Sequence, residues 1–211
     1  MFSDTSKYKN IIFDFGGVII NIDYRLLITA FEKIGLPHFE NYFSQAEQRK
    51  FFDDYEKGKI SSQDFREKLK THCRAGTSDE QIDQAWNSMI LDLPGARLKL
   101  LASLKPKFRT FLLSNTNEIH MNFICNNLQR EYGIRNLNKY FEKVYLSYEL
   151  GMRKPDKEIF EKVINDNQLL LPETLFIDDS VQHVESAIAM GLPAYLLDVG
   201  KQDILDLFPS V

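Results

Sequence analysis

The sequence predicts an α/β protein: a parallel sheet wrapped by helices, with a helical cap domain inserted after the first strand. Three observations carry this expectation. Short apolar runs occur at about 10–14, 108–113, 143–147, 174–178 and 194–197, with the strand-like composition expected of buried β-segments. Longer stretches with helical spacing, such as 157–164 and 184–190, lie between them, and that alternation indicates a parallel sheet covered on both faces. Residues 23–92 break the rhythm, because no convincing strand occurs there.

Each element follows in chain order. The first run, Asn10-Ile-Ile-Phe, ends in Asp14 and is followed by Phe15-Gly16-Gly17-Val18, whose glycines let the chain turn sharply beside a carboxylate. Amphipathic, aromatic-rich helical patterns then span 24–34, 40–55, 62–72 and 79–89. Ser61 and Ser78 are plausible helix starts, with small hydroxyls followed by early acids. The aromatic stretch 39–55 reads as cap core, with some members placed to roof a site. Hinges are expected near 21–23 and at Leu93-Pro94-Gly95, so residues 1–21 and 94–211 form the core and 22–93 the cap. The second core strand ends in Ser114-Asn115-Thr116-Asn117. Next, Gly151-Met-Arg153-Lys154-Pro155 sets a lysine beside a proline, just before a helical pattern starting near Lys157. The run Thr174-Leu-Phe-Ile ends in the neighbouring aspartates Asp178 and Asp179, and Gly191-Leu-Pro193 stops the last helix before the last strand.

Composition narrows the function classes. With 211 residues, 44% hydrophobic and 27% charged, the chain has enough apolar material for a core plus a small accessory unit. The net charge is −4 with basic residues scattered among acids, which argues against a nucleic-acid footprint. No apolar run approaches the roughly 20 residues needed to span a bilayer, so no membrane partner is expected. The N-terminal residues lack the apolar stretch of a signal peptide. Cys73 and Cys125 have no metal-type spacing and read as reduced thiols on helices, with a cytoplasmic setting as the default.

In open parallel sheets, ligands bind beyond the carboxyl ends of the strands. Asp14, Ser114, Lys154, Asp178 and Asp179 all fall at or just past such ends, so they can converge although distant in sequence. Taken singly, each has a bland reading: an aspartate or serine as a turn residue, a lysine at a helix start as a solvated charge. Their joint occurrence favours a site, and three acids on two strand ends can hold a hard divalent cation such as Mg²⁺. Arg153 reads as structural, and a place at the pocket rim is the less favoured reading of Asn117. His38, His72, His120 and His183 share no metal-like spacing and read as surface or helix histidines, with His120 close enough to the second motif to touch a substrate.

Aspartate, serine, lysine and an aspartate pair in this order resemble the four motifs of the haloacid dehalogenase-like phosphohydrolases. The matching strings are Phe-Asp-x-Gly at 13–16, Leu-Ser-Asn-Thr-Asn at 113–117, Leu-Gly-Met-Arg-Lys-Pro at 150–155 and Phe-x-Asp-Asp at 176–179. In detail they look closest to the branch containing alpha-D-glucose-1-phosphate phosphatase. The resemblance implies a Rossmann-like parallel sheet core with an inserted helical cap domain, and a Mg²⁺-dependent phosphatase acting on a small phosphorylated metabolite, plausibly a sugar phosphate such as glucose 1-phosphate. It also implies site roles. Asp14 would be the nucleophile, forming an aspartyl-phosphate. The metal would be held by Asp14, the Gly16 carbonyl and Asp179, with Asp178 as a further or outer ligand. Lys154 would neutralise charge, and the Ser114 hydroxyl and Asn115 amide would hold phosphate oxygens.

One departure matters. Many relatives carry a second aspartate two residues after the nucleophile as general acid–base, and this chain has Gly16 there. General acid–base help is typically worth about 10²–10⁴-fold. A phosphometabolite-binding regulatory protein with little or no turnover is therefore an alternative, and 2-haloacid dehalogenation a remoter one. Oligomeric state is not legible in the sequence.

Overall fold

The computed structural model describes residues 7–43 and 50–209. Five parallel strands form one sheet in the order β3-β2-β1-β4-β5: β1 (Asn10–Phe13), β2 (Arg109–Ser114), β3 (Lys143–Leu146), β4 (Thr174–Asp178) and β5 (Ala194–Leu196). β1 is central, and its last residue, Phe13, pairs with Leu112 of β2 on one side and Ile177 of β4 on the other. The next residue, Asp14, therefore leaves the sheet level with Asp178, and its N–H still donates to the Ile177 carbonyl at 2.8 Å. Register alone thus brings the two carboxylates to one sheet edge.

Strand residues alternate between two cores, as a two-residue repeat requires. Ile11, Phe13, Leu112, Leu175 and Ile177 face one cluster, shared with α5 (Gly95–Leu104) and α6 (Glu118–Tyr132). Ile12, Phe111, Leu113 and Phe176 face the other, shared with α8 (Lys157–Asn167) and α9 (Val181–Ala189). Burial on both faces explains why the strands read as continuous apolar runs.

Between β1 and β2 lie α1 (Tyr24–Lys33), α2 (Lys50–Glu56), α3 (Ser62–Lys70) and α4 (Asp79–Asn87). Ser61 and Ser78 cap α3 and α4 through reciprocal capping boxes with Asp64 and Gln81. An aromatic cluster around the buried Trp86 joins these helices: Phe31 stacks on Phe39 at 4.0 Å, and Phe43, Phe52 and Phe65 pack on the indole. The two connecting segments run side by side, with Asn21 N–H donating to Asp92 at 2.9 Å and Asp23 N–H to Met89 at 2.8 Å.

Several boundaries differ from the sequence expectation. The 40–55 pattern is not one helix: a 3₁₀ turn occupies Phe39–Asn41, α2 begins at Lys50, and residues 44–49 lie outside the described residues, as do 1–6. β3 ends at Leu146, because Ser147 opens the short helix α7 (Ser147–Leu150). Cys73 sits in the turn after α3 rather than on a helix, whereas Cys125 is on α6, and both are free thiols. Among the described residues, no helix is long and apolar enough to cross a membrane.

Candidate active site

The residues singled out from the sequence meet at the carboxyl edge of the sheet. Lys154 Nζ, fully buried, donates to Asp14 Oδ1 at 2.5 Å and to Asp178 Oδ2 at 2.6 Å. A carboxylate oxygen from each of Asp14, Asp178 and Asp179 lies within 4.8 Å of the others. Three carboxylates and one ammonium give this cluster a net charge of −2 when all are ionised. That surplus of hard oxygen donors fits a divalent cation such as Mg²⁺.

Local structure fixes each group. The Asn115 side chain donates to the Lys154 carbonyl and accepts the Lys154 N–H, both at 2.8 Å, so the second motif clamps the backbone of the third. Ser147 ties the same loop by bonding both the N–H and the carbonyl of Thr116 at 2.9 Å. Asp178 accepts the Ser180 N–H at 2.8 Å and lies 3.0 Å from His183 Nδ1. After Asp14 the chain turns back, with Gly17 N–H donating to Ile20 at 2.8 Å. Gly17 has φ +74°, and a Cβ there would sit 2.4 Å from Asp179 Oδ2, so a side chain would displace that carboxylate. Buried Arg97 holds the turn from behind, donating to the Ile19 carbonyl at 3.2 Å and to Asn21 Oδ1 at 2.9 Å.

Electrostatics divides the acids. Burial holds the Asp14 carboxyl up to about 8; Lys154 pulls it down, and Asp178 and Asp179 push it further up. For Asp178, burial is outweighed by Lys154 and His183, which bring it down to about 2. Without a cation, the site thus keeps Asp178 ionised and a proton on Asp14 near neutrality. The Lys154 ammonium stays charged, because its two carboxylate partners outweigh the cost of burial.

A cavity of about 100 Å³ opens over these groups, lined by Asp14, Asp179, Gly16, Ser114 and Asn115 on its sheet side. Lys154 and Asp178 lie behind that lining. Asn117 does not reach the rim; fully buried, it caps α6 and accepts the Trp86 indole N–H at 3.2 Å.

Sequence reasoning missed four residues of the cavity wall: Arg153, Glu56, Tyr24 and His183. Arg153 is not a bystander: it pairs with Asp53 at 2.9 Å, lies 3.0 Å from Glu56, and lines the cavity with Glu56 and Tyr24. His183 is half-buried on α9 and His120 buried on α6, so both are helix histidines that line the cavity. Helical spacing marked Tyr24 only as the start of an amphipathic helix and left Glu56 just past the end of another. The one available signal was Arg153 beside Lys154 in the third motif.

The family model of the haloacid dehalogenase-like hydrolases matches residues 8–191. The chain belongs to that family. Among its relatives, a D-ribitol-5-phosphate phosphatase of Bacteroides thetaiotaomicron is 35% identical over 187 residues, covering 89% of this chain and 90% of the relative. A haloacid dehalogenase family enzyme from the same organism was crystallised as an aspartate-to-alanine mutant with magnesium and inorganic phosphate. It superposes with a TM-score of 0.87 at 39% identity, over 92% of this chain and 96% of that one. A HAD-like hydrolase structure from Porphyromonas gingivalis gives 0.81 at 30% identity, over 93% and 94% of the two chains.

Proposed function

We propose that this protein is a Mg²⁺-dependent phosphatase of a small polyhydroxylated phosphate ester, a sugar or sugar-alcohol phosphate, working in the cytoplasm. One observation carries the reading: buried Lys154 bridges Asp14 and Asp178 at the sheet edge, while Asp14 and Asp179 face the cavity. Asp14 attacks phosphorus as the P–O ester bond breaks, and the leaving oxygen takes a proton from water because Gly16 offers none. A second water then cleaves the aspartyl-phosphate to release phosphate and restore Asp14. Asp14, Asp179 and the Gly16 carbonyl would hold the metal, with Asp178 steadied by Lys154, His183 and Ser180. When bound, Mg²⁺ neutralises phosphate charge and orients the ester for in-line displacement. Lys154 offsets the charge that repels an anionic nucleophile from an anionic ester. Ser114 and the Asn115 backbone amide hold phosphate oxygens. Residues 22–93 form a cap that sets substrate choice and excludes water when closed, contacting the core through pairs such as Arg153–Asp53 and Lys57–Asp156.

The relatives' sugar-alcohol phosphate and the glucose 1-phosphate suggested by the motifs both fall in this class. A phosphate-release screen over sugar, polyol, nucleotide and amino-acid phosphates with Mg²⁺ tests it, and release is expected to stop when EDTA removes the metal. Gly16 supports a second reading, a phosphometabolite-binding protein without turnover. Mg²⁺-dependent binding of phosphate mimics with no release from any ester would select that reading.

Gly16 also allows a sharper test. A Cβ at Gly16 would meet only the Ile22 Cδ1 tip at 3.2 Å, which can shift, so Gly16→Asp is tolerable sterically. The new carboxyl would protonate the leaving oxygen. An anomeric oxygen leaves more readily than an alkoxide, so ribitol 5-phosphate turnover should rise by about ten-fold or more and glucose 1-phosphate turnover by less. Equal gains on both esters would count against leaving-group protonation as the missing function.

A further inference from the structure

The cap-facing end of the cavity holds a histidine that the phosphatase chemistry leaves unused. His120 Nδ1 lies 2.8 Å from the Asn87 Oδ1 of α4, and the His120 backbone N–H donates to Asn117 Oδ1 at 3.0 Å. The Trp86 ring stacks on the imidazole, with centroids 4.9 Å apart and planes within 8°. The ring is thus fixed at one edge, on one face and at its backbone. An amide oxygen only accepts hydrogen bonds, so Nδ1 carries the proton and Nε2 presents a lone pair. Among the described residues the ring has no other hydrogen-bond partner, and His120 lines the cavity.

We infer that His120 is a specificity-determining residue that accepts a hydrogen bond from a hydroxyl of the substrate's leaving group through Nε2, with Asn87 as the positioning residue that fixes the tautomer. This inference rests on the phosphatase reading and names what the site recognises beyond the phosphate. A bare lone pair repels phosphate oxygens, which are acceptors themselves, so Nε2 suits a donor on the carbon portion of the ester. Burial supports this by pushing the ring down to about 3, which keeps it neutral and an acceptor across the physiological range. The remaining wall divides the same way: Arg153, Glu56 and Tyr24 offer polar contacts, whereas Ile22, Met89 and Ile124 pack carbon. A hydroxyl-bearing ester suits both sets; a hydrocarbon phosphate gains nothing from the polar one.

The test is calorimetry on Asp14→Asn protein with Mg²⁺, using D-ribitol 5-phosphate and inorganic phosphate as probes. His120→Phe keeps the stacked ring and removes the acceptor. It should weaken D-ribitol 5-phosphate binding by roughly ten-fold while leaving inorganic phosphate binding in place. His120→Gln, which restores an acceptor, should recover part of the loss. Equal weakening of both probes, or of neither, overturns the inference. The ¹⁵N spectrum of the histidine ring in the unmutated chain reads the tautomer directly; a protonated Nε2 also overturns it. Phosphate release by the unmutated chain tests the phosphatase reading separately. Release with unchanged probe selectivity sinks only the role of His120.

Discussion

Asp14→Asn is expected to be inactive and, without metal, more stable than the parent above neutral pH. Losing a covalent nucleophile costs on the order of 10⁴–10⁶ in turnover where such groups have been removed, so release of phosphate should fall by at least about 10⁴-fold. The stability gain follows from the position of Asp14. Burial first, and then Asp178 and Asp179, raise its carboxyl from 3.8 to about 8 against the pull of Lys154. The native metal-free protein therefore holds a proton that the unfolded chain has released between those two values. Stability falls as pH rises through that window, because the unfolded state binds fewer protons there. Asparagine stays neutral throughout, so the variant avoids the loss. The gap in melting temperature should be small near pH 5 and widen toward pH 8 in EDTA. Mg²⁺ should reverse the order, stabilising the parent more than the variant, since the parent contributes one more charged ligand. A variant that melts below the parent at every pH in EDTA would mean that Asp14 is stabilised as an anion, and the charge balance of the site would need redrawing.

The sheet was legible because its strands are buried on both faces: Ile12 and Ile11 pack on opposite sides, and such strands read as unbroken apolar runs. The strand-end groups were legible for a related reason. Asp14, Asp178 and Ser114 interrupt those runs where packing would favour another apolar residue. Contacts made by the inserted helices were not legible. Glu56 and Tyr24 lie on helices whose spacing reports only which side faces the core, and the tether from Arg153 to Asp53 joins positions a hundred residues apart. His120 was legible only by its closeness to the second motif; its burial depends on Trp86 and Asn87, which local pattern does not connect to α6. Asn115 was read for its backbone amide, while its side chain does something sequence could not indicate, bracketing the Lys154 peptide.

Lys154→Met should be the most destabilising change in the site. Lys154 is fully buried, as is Asp178, and its ammonium is the shared partner of Asp14 and Asp178. Methionine keeps most of the volume, so the loss is electrostatic rather than a cavity. Removing one partner of a buried ion pair typically costs about 3–5 kcal/mol, because it strands the other charge. At roughly 2–4 °C per kcal/mol for a chain of this size, the melting temperature should drop by about 6–20 °C at pH 8 in EDTA. The pH dependence has a definite sign. In the parent, Asp178 is held down to about 2, so its contribution is present above 3.8 and is lost only as pH falls through about 2. Without Lys154 both carboxyls move above their unfolded values, and their penalty fades as they protonate on acidification. The two stability curves should therefore converge toward pH 4. Mg²⁺ should restore part of the stability by supplying positive charge, yet leave turnover reduced by at least about 10²–10³-fold, since the phosphate still lacks the ammonium. Lys154→Arg should not rescue either property, because a branched guanidinium does not fit a fully enclosed lysine site. If Lys154→Met melts with the parent at pH 8 in EDTA, the ammonium does not bridge the two aspartates, and the electrostatic frame proposed for Asp14 loses its support.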